Sequence, residues 1–359
     1  MSAKESNVRV GVVGCGYWGP NLVRNFAKQS HARVVSVCDA RFERAARLGA
    51  EHHISHITDN YVEVVESPDV DLVVVCTPSF NHYEVARRAL TAGKHVLVMK
   101  PLTTTVEHAE ELVDLAERAG VLLAVDHTFV YTGAVQKMRD LIESGDLGEI
   151  YYLDSVRINL GLFQADVNVI WDLAPHDISI IDYLMSGALP TEVSAVGACH
   201  AGSPTENIAY VTLRYGRDLL AHVHVNWLAP AKVRRTMVGG SRRMVVYDDM
   251  EPSEKIRIYD KGVTITPSSS QDEVYGQLVS YRSGDMHAPR LDGREALAVE
   301  AEHLLHCIRS GGTPRADGHA GLRIVRILSA AEQSIRKESG PVVLPRLEPA
   351  RVPSRQQVQ

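Results

Sequence analysis

Val8-Arg-Val-Gly-Val-Val-Gly14-Cys15-Gly16-Tyr17-Trp18-Gly19 opens the readable part of the chain, and Arg33-Val-Val-Ser-Val-Cys-Asp39 follows after an amphipathic stretch. A short apolar run breaks into Gly14-x-Gly16-x-x-Gly19, a helical pattern begins at once, and a second apolar run ends on an acid 20 residues past the last glycine. Strand, glycines, helix, strand and acid in that order are the fingerprint of a dinucleotide-binding βαβ unit. Gly14 permits the tight turn, Gly16 lets backbone approach a pyrophosphate, and Gly19 lets the helix close on the strand. The helix N-terminus, with Tyr17 and Trp18 beside it, offers unpaired N–H groups to phosphate. Asp39 is placed to accept hydrogen bonds from the adenosine ribose. Its charge repels a 2′-phosphate, so NAD is expected over NADP, although Arg41 and Arg44 soften that preference.

Outward from this unit, apolar runs at 8–13, 33–38, 71–76, 95–99 and 121–125 have the β-branched look of strands buried on both faces. Helical patterns separate most of them, clearest over 83–92 and over 106–118, the latter between Thr105 and Gly120. Residues 1–127 therefore read as a doubly wound parallel α/β domain. After Asp126 the texture changes. Helices are expected over 133–143 and from Pro175 to Leu184, strands dominate 191–266, and Gly216-Arg-Asp218 marks a hairpin between two alternating runs. Helices over 294–309 and 319–337 close an α+β domain, 128–346, built on a large open, mostly antiparallel sheet. Residues 347–359 read as a loose tail.

Composition narrows the partners. With 359 residues, 45% apolar content and a formal charge of −6, this is an ordinary globular chain with no basic surplus for nucleic acid or membrane. Its five cysteines lie far apart without a C-x-x-C pair and read as reduced thiols. The N-terminus lacks a signal-peptide core and no apolar run reaches the roughly 20 residues of a membrane span, so the expected location is the cytoplasm.

Three constellations carry chemistry. Cys76-Thr77-Pro78-Ser79-Phe80-Asn81-His82 ends the third apolar run, where open α/β sheets bind ligands, so Thr77 and Asn81 are cofactor candidates, or else a helix cap and turn. Met99-Lys100-Pro101 ends the fourth run; a lysine there is either a strand-end side chain reaching solvent or a hydrogen-bond donor and proton-transfer group. Trp171-Asp172-Leu-Ala-Pro175-His176-Asp177 puts Pro175 in a first helical turn, with Asp172 and His176 stacked four apart, as a cap and a core histidine or as an orienting acid and a base. His222 and His224 share a strand face without an acidic partner, so no metal site is expected. Lys232, Arg234, Arg235, Arg242 and Arg243 offer charge for a diphosphate, but on alternating strands they read as a solvated face.

Taken together, Gly14-Cys-Gly-Tyr-Trp-Gly-Pro20, the Thr77-Pro78 loop with His82, Lys100-Pro101, Asp172-x-x-x-His176, and the closing Glu300-Ala-Glu302 and Pro314-Arg-Ala-Asp317-Gly318 patterns resemble the glucose–fructose oxidoreductase / inositol dehydrogenase (Gfo/Idh/MocA) family. The resemblance implies a Rossmann domain followed by an open-faced sheet that builds homo-oligomers, here a dimer or tetramer. It implies an active site of Lys100, Asp172 and His176 and a metal-free hydride transfer to NAD. Met99 departs from the family, which usually has glutamate there. Gly16-Tyr-Trp-Gly-Pro-Asn21 and Asn168-Val-Ile-Trp-Asp-Leu-Ala-Pro-His-Asp177 are similar to members that oxidise the C3 hydroxyl of UDP-linked N-acetylamino sugars or their uronic acids. Relatives acting on free sugars, cyclitols or glycosides, some with retained NAD, and a non-catalytic NAD- or sugar-binding protein are the alternatives.

Overall fold

The computed structural model describes residues 7–161, 167–266 and 278–345. The tail expected over 347–359 lies outside the described residues.

Six parallel strands form the first sheet: β1 (Val8–Val13), β2 (Ala32–Cys38), β3 (His56–Thr58), β4 (Leu72–Val75), β5 (His95–Met99) and β6 (Leu123–Asp126), ordered β3-β2-β1-β4-β5-β6. The order reverses between β1 and β4, which opens a crevice at their carboxyl ends. The five expected strands are present; β3 is added at the edge, and its three residues are too short and polar for an apolar run to mark. The sheet carries α1 (Gly19–Ala27), α2 (Phe42–Glu51), α3 (Tyr61–Val65), α4 (His82–Thr91) and α5 (Val106–Ala119). The α5 ends follow the sequence signals: Thr105 Oγ1 accepts the His108 N–H, and Gly120 stops the helix at φ +66°.

The second sheet has nine strands ordered β14-β13-β12-β11-β7-β10-β9-β8-β15. They are β7 (Ile150–Leu160), β8 (Glu192–Ala198), β9 (Ile208–Tyr215), β10 (Leu219–Asn226), β11 (Leu228–Gly240), β12 (Met244–Asp248), β13 (Ile256–Thr266), β14 (Leu278–His287) and β15 (Val342–Val343). Only the β7–β10 pairing is parallel among these ladders. The β9–β10 hairpin forms across Gly216, as its alternation predicts. One face is covered by α6 (Gly133–Glu143), α7 (Val169–Leu184) and α9 (Gly318–Arg336), while Tyr210, Leu220 and Val196 remain exposed on the sheet.

One helix start differs from expectation. α7 begins at Val169, because Asn168 Oδ1 accepts the N–H groups of Ile170 and Trp171. Pro175 therefore sits inside the helix, and neither it nor Asp172 starts the helix. α8 (Ala296–Ser310) returns to pack on α1, burying Leu297, Ala301, Leu304 and Leu305 against the core of the first sheet. Each such leucine contributes roughly 1.5–3 kcal/mol of burial.

Candidate active site

A cleft of about 820 Å³ runs from the glycine turn to the start of α7. The turn has the shape a dinucleotide needs. Gly14 has φ +103°, and a Cβ on it would fall 2.5 Å from the Cys76 carbonyl group; on Gly19 it would fall 2.1 Å from Gly14 O. At Gly16 the nearest such neighbour is Arg44, 3.9 Å away, so this glycine leaves open space in the cleft, not a packing contact. No side chain caps α1 at Trp18, Pro20 carries no N–H and the Asn21 N–H goes to Trp18 O, which leaves the Gly19 N–H at the helix start for a phosphate. Asp39 holds the turn from the other side, Oδ2 accepting the Cys15 N–H at 2.8 Å and Oδ1 the Arg41 N–H at 2.9 Å. Tyr17 and Trp18, edge-to-face at 5.4 Å, line the cleft with Asp39, Arg41 and Arg44. The chain thus fits a dinucleotide on its own geometry.

Thr77 and Asn81 line the same cleft, and neither caps a helix: no side-chain cap bond forms at the turn 79–81 or at α4. Thr77 Oγ1 is buried without a partner, a polar atom left for a ligand.

Lys100 closes the inner end. Its Nζ donates to the main-chain carbonyl of Asp172 at 2.6 Å and lies 3.4 Å from Asp172 Oδ1. Burial pushes the lysine down from its ordinary value, and the Asp172 charge pulls it part of the way back. The other carboxylate oxygen, Oδ2, accepts Trp227 Nε1–H at 3.1 Å. One turn on, His176 packs edge-to-face on Phe129 at 5.3 Å, with its Nδ1 buried and unpartnered. Burial holds this imidazole far below its usual range, and the charges of Lys100, Arg157 and Arg234 hold it lower still. An imidazole that stays neutral can accept a proton from a neighbouring hydroxyl. Lys100 and Asp172, from two parts of the chain, therefore meet at the inner end of the cleft, with His176 one turn further along α7.

Several site residues escaped the sequence reading. His127, directly after β6, is 1% exposed with both ring nitrogens unpartnered, and burial and Lys100 hold it down to about 3. Met99, in place of the family's glutamate, is the register partner of Asp126 on β6. Asp126 faces Glu300 of α8; both are buried, and both carboxyls are pushed up, by burial first. Neither Glu300 oxygen nor Asp126 Oδ2 has a donor among the described residues, which a proton shared by the two carboxyls resolves. A carboxyl thus stands on the neighbouring strand, opposite the methionine. Arg234 also differs from the solvated face expected of it. It is β11's register partner to Arg157 on β7, and both guanidinium groups lie over Phe129, at 5.8 and 4.3 Å. Arg157 is itself buried and bound to Asp177 at 2.6 Å. These roles depended on strand register, which residue spacing does not reveal. Among the described residues no group of three or more His, Cys, Asp or Glu is placed to hold a metal. Among the described residues no helix is long and apolar enough to cross a membrane.

A doubly wound sheet with a fitted dinucleotide cleft, ending on a lysine and an acid one helical turn from a buried histidine, defines an NAD(P)-dependent oxidoreductase. The chain matches the oxidoreductase family, NAD-binding Rossmann fold, over residues 8–127 and the GFO/IDH/MocA C-terminal domain over residues 135–246. It belongs to the GFO/IDH/MocA family. It is 29% identical over 325 residues to a UDP-N-acetylglucosamine 3-dehydrogenase of Acidithiobacillus ferrooxidans, covering 89% of this chain and 94% of the relative. A scyllo-inositol 2-dehydrogenase (NADP(+)), IolW, of Bacillus subtilis is 25% identical over 93% of this chain and 96% of its own. Among solved structures, the Acidithiobacillus enzyme superposes with a TM-score of 0.77 at 25% identity, covering 92% of this chain and 98% of that one. GenD2 from gentamicin A biosynthesis, in complex with NAD, shares the fold at TM-score 0.79 and 20% identity, over 96% and 98% of the two chains. Named relatives act on sugars and cyclitols, and the chain is an oxidoreductase of their family.

Proposed function

We propose that this protein oxidises a secondary hydroxyl, at C3, of a nucleotide-linked pyranose sugar with NAD. The observation that carries the chemistry is the bond from Lys100 to Asp172 at the inner end of the dinucleotide cleft, one helical turn from a neutral His176. Gly14, Gly16, Gly19 and the first turn of α1 hold the pyrophosphate; Asp39 takes the ribose hydroxyls; Thr77 and Asn81 border the nicotinamide half. When bound, the cofactor supplies the hydride acceptor. His176 takes the hydroxyl proton, and Lys100 hydrogen-bonds the same oxygen, stabilising the charge that develops there. Asp172, held by Trp227 on one oxygen, orients Lys100.

The sugar class rests on likeness to the UDP-N-acetylglucosamine 3-dehydrogenase along nearly the whole of both chains. Asp39 at the cleft supports NAD. The exposed sheet face with Tyr210, Leu220 and Val196 supports a homo-oligomer, dimer or tetramer, and the five unpaired cysteines support a cytoplasmic setting.

The test follows absorbance of reduced nicotinamide while UDP-sugars, free sugars, cyclitols and glycosides are offered, with mass spectrometry of the products. Turnover of UDP-N-acetylamino sugars to 3-oxo products is expected; turnover confined to an unconjugated sugar or cyclitol overturns the substrate assignment. His176→Asn and Lys100→Met are each expected to lose several orders of magnitude in kcat with NAD affinity nearly intact. A near-wild-type rate in either removes that residue from the mechanism.

A further inference from the structure

His82 opens α4 and is 1% exposed. Its ring lies between two main-chain carbonyls, with Nδ1 2.8 Å from Pro101 O and Nε2 2.9 Å from Thr77 O. The two carbonyls belong to the two segments that build the site. Thr77 follows β4 at the cofactor cleft, and Pro101 follows the lysine. We infer that His82 is a positioning residue that ties the cofactor loop to the turn carrying Lys100, so that the lysine and the nicotinamide end of the cleft keep one fixed separation. The inference rests on the catalytic reading of Lys100.

The donor count gives the bridge a chemical condition. A carbonyl oxygen only accepts, and a neutral imidazole carries one N–H, so a neutral ring satisfies one carbonyl and turns a lone pair toward the other. A neutral ring therefore keeps one of the two bonds, and only the imidazolium donates to both carbonyls, in two charge-assisted bonds. Burial holds this histidine below its ordinary value, the two carbonyls offset part of that, and the Lys100 ammonium lowers it again, so the second bond forms as pH falls below the usual imidazole range. Two acids on the neighbouring elements are otherwise engaged. Glu111 of α5 takes Tyr83 and Arg87, and Glu66 after α3 takes Arg88. When the ring loses a proton, one of its two bonds is lost, and the cofactor loop and the lysine turn become uncoupled.

The inference is tested on full-length protein with bound NAD. In 15N-histidine NMR, His82, assigned by its absence in His82→Gln, is expected to show one neutral tautomer at neutral pH and both ring nitrogens protonated as pH falls below the usual imidazole range; a ring that never gains the second proton while the protein stays folded overturns the two-bond bridge. In kinetics, His82→Phe is expected to lose at least tenfold in kcat with a small change in sugar KM and an unchanged far-UV spectrum. His82→Gln, which carries two N–H donors and does not titrate, is expected to recover part of that loss and to lack the wild-type step in kcat at the pH where the NMR signal changes. Wild-type kcat in His82→Phe, or the same pH step in His82→Gln, overturns the positioning role. A fully active Lys100→Met defeats the catalytic reading of the lysine and leaves the NMR result standing.

Discussion

Lys100 Nζ lies closer to the main-chain carbonyl of Asp172, at 2.6 Å, than to the carboxylate oxygen of the same residue, at 3.4 Å. The ammonium is thus placed by backbone and tuned by charge, two functions that substitution can separate. In Asp172→Asn the carbonyl anchor stays, while the charge that raises Lys100 against its burial is lost. The lysine then deprotonates at lower pH, so the alkaline limb of kcat/KM moves to lower pH. Pre-steady-state rates across pH 6–10 measure this; an unmoved limb shows that the carboxylate does not set the lysine's charge.

Asp39 is expected to decide the cofactor. Removing it in Asp39→Ser deletes the ribose acceptor and leaves Arg41 and Arg44 on the cleft wall. NAD binding should weaken about 10- to 100-fold, the worth of one or two hydrogen bonds to a charged group, while NADP binding improves relative to it. Calorimetric titration of both cofactors checks the ratio. The same variant loses the bond to the Cys15 N–H and should unfold at lower temperature.

The Asp126–Glu300 pair makes stability fall with rising pH. Both carboxyls are raised in the folded state, so their favourable contribution is complete below the ordinary glutamic acid value of about 4.3 and is lost as pH rises through the folded values. Glu300→Gln removes the need to bury a second charge. It is expected to match wild type near pH 4 and to exceed it at pH 8 by on the order of 1 kcal/mol or more. Denaturant midpoints at the two pH values read this difference; equal midpoints at pH 8 contradict a shared proton.

Asn168 positions the helix that carries Asp172 and His176. Its side chain accepts two α7 N–H groups and donates to Glu206 at 3.0 Å. Asn168→Ala should cost about 1–2 kcal/mol, whereas Asn168→Asp, which keeps the acceptor, should retain most of the cap while facing Glu206. Thermal unfolding together with kcat distinguishes them, and kcat should fall further in the alanine variant.

Much of this protein was legible before folding, for reasons that are local. Gly14, Gly16, Gly19 and Asp39 declare a dinucleotide turn because their roles follow from backbone freedom and charge within one βαβ unit. The strands at 8–13 and 95–99 and the helix 106–119 follow from periodicity and caps. The pairing of Lys100 with Asp172 was reachable from the resemblance, but its geometry was not. Pro175 looked like a helix start because proline favours a first turn, and only the packed chain revealed Asn168 as the cap.

The sequence by itself determined the dinucleotide unit, the change to a second, sheet-rich domain, and the candidates Lys100, Asp172 and His176, since each is written in neighbouring residues. Tertiary structure alone decided that Asp126 stands opposite Met99, that Glu300 meets it from α8, that Arg234 joins Arg157 over Phe129, and that His82 spans the carbonyls of Thr77 and Pro101. Those contacts join residues up to 174 positions apart, as Asp126 and Glu300 are, and depend on strand register and helix docking. Both are set by how the whole chain buries its apolar faces, and no local pattern encodes them.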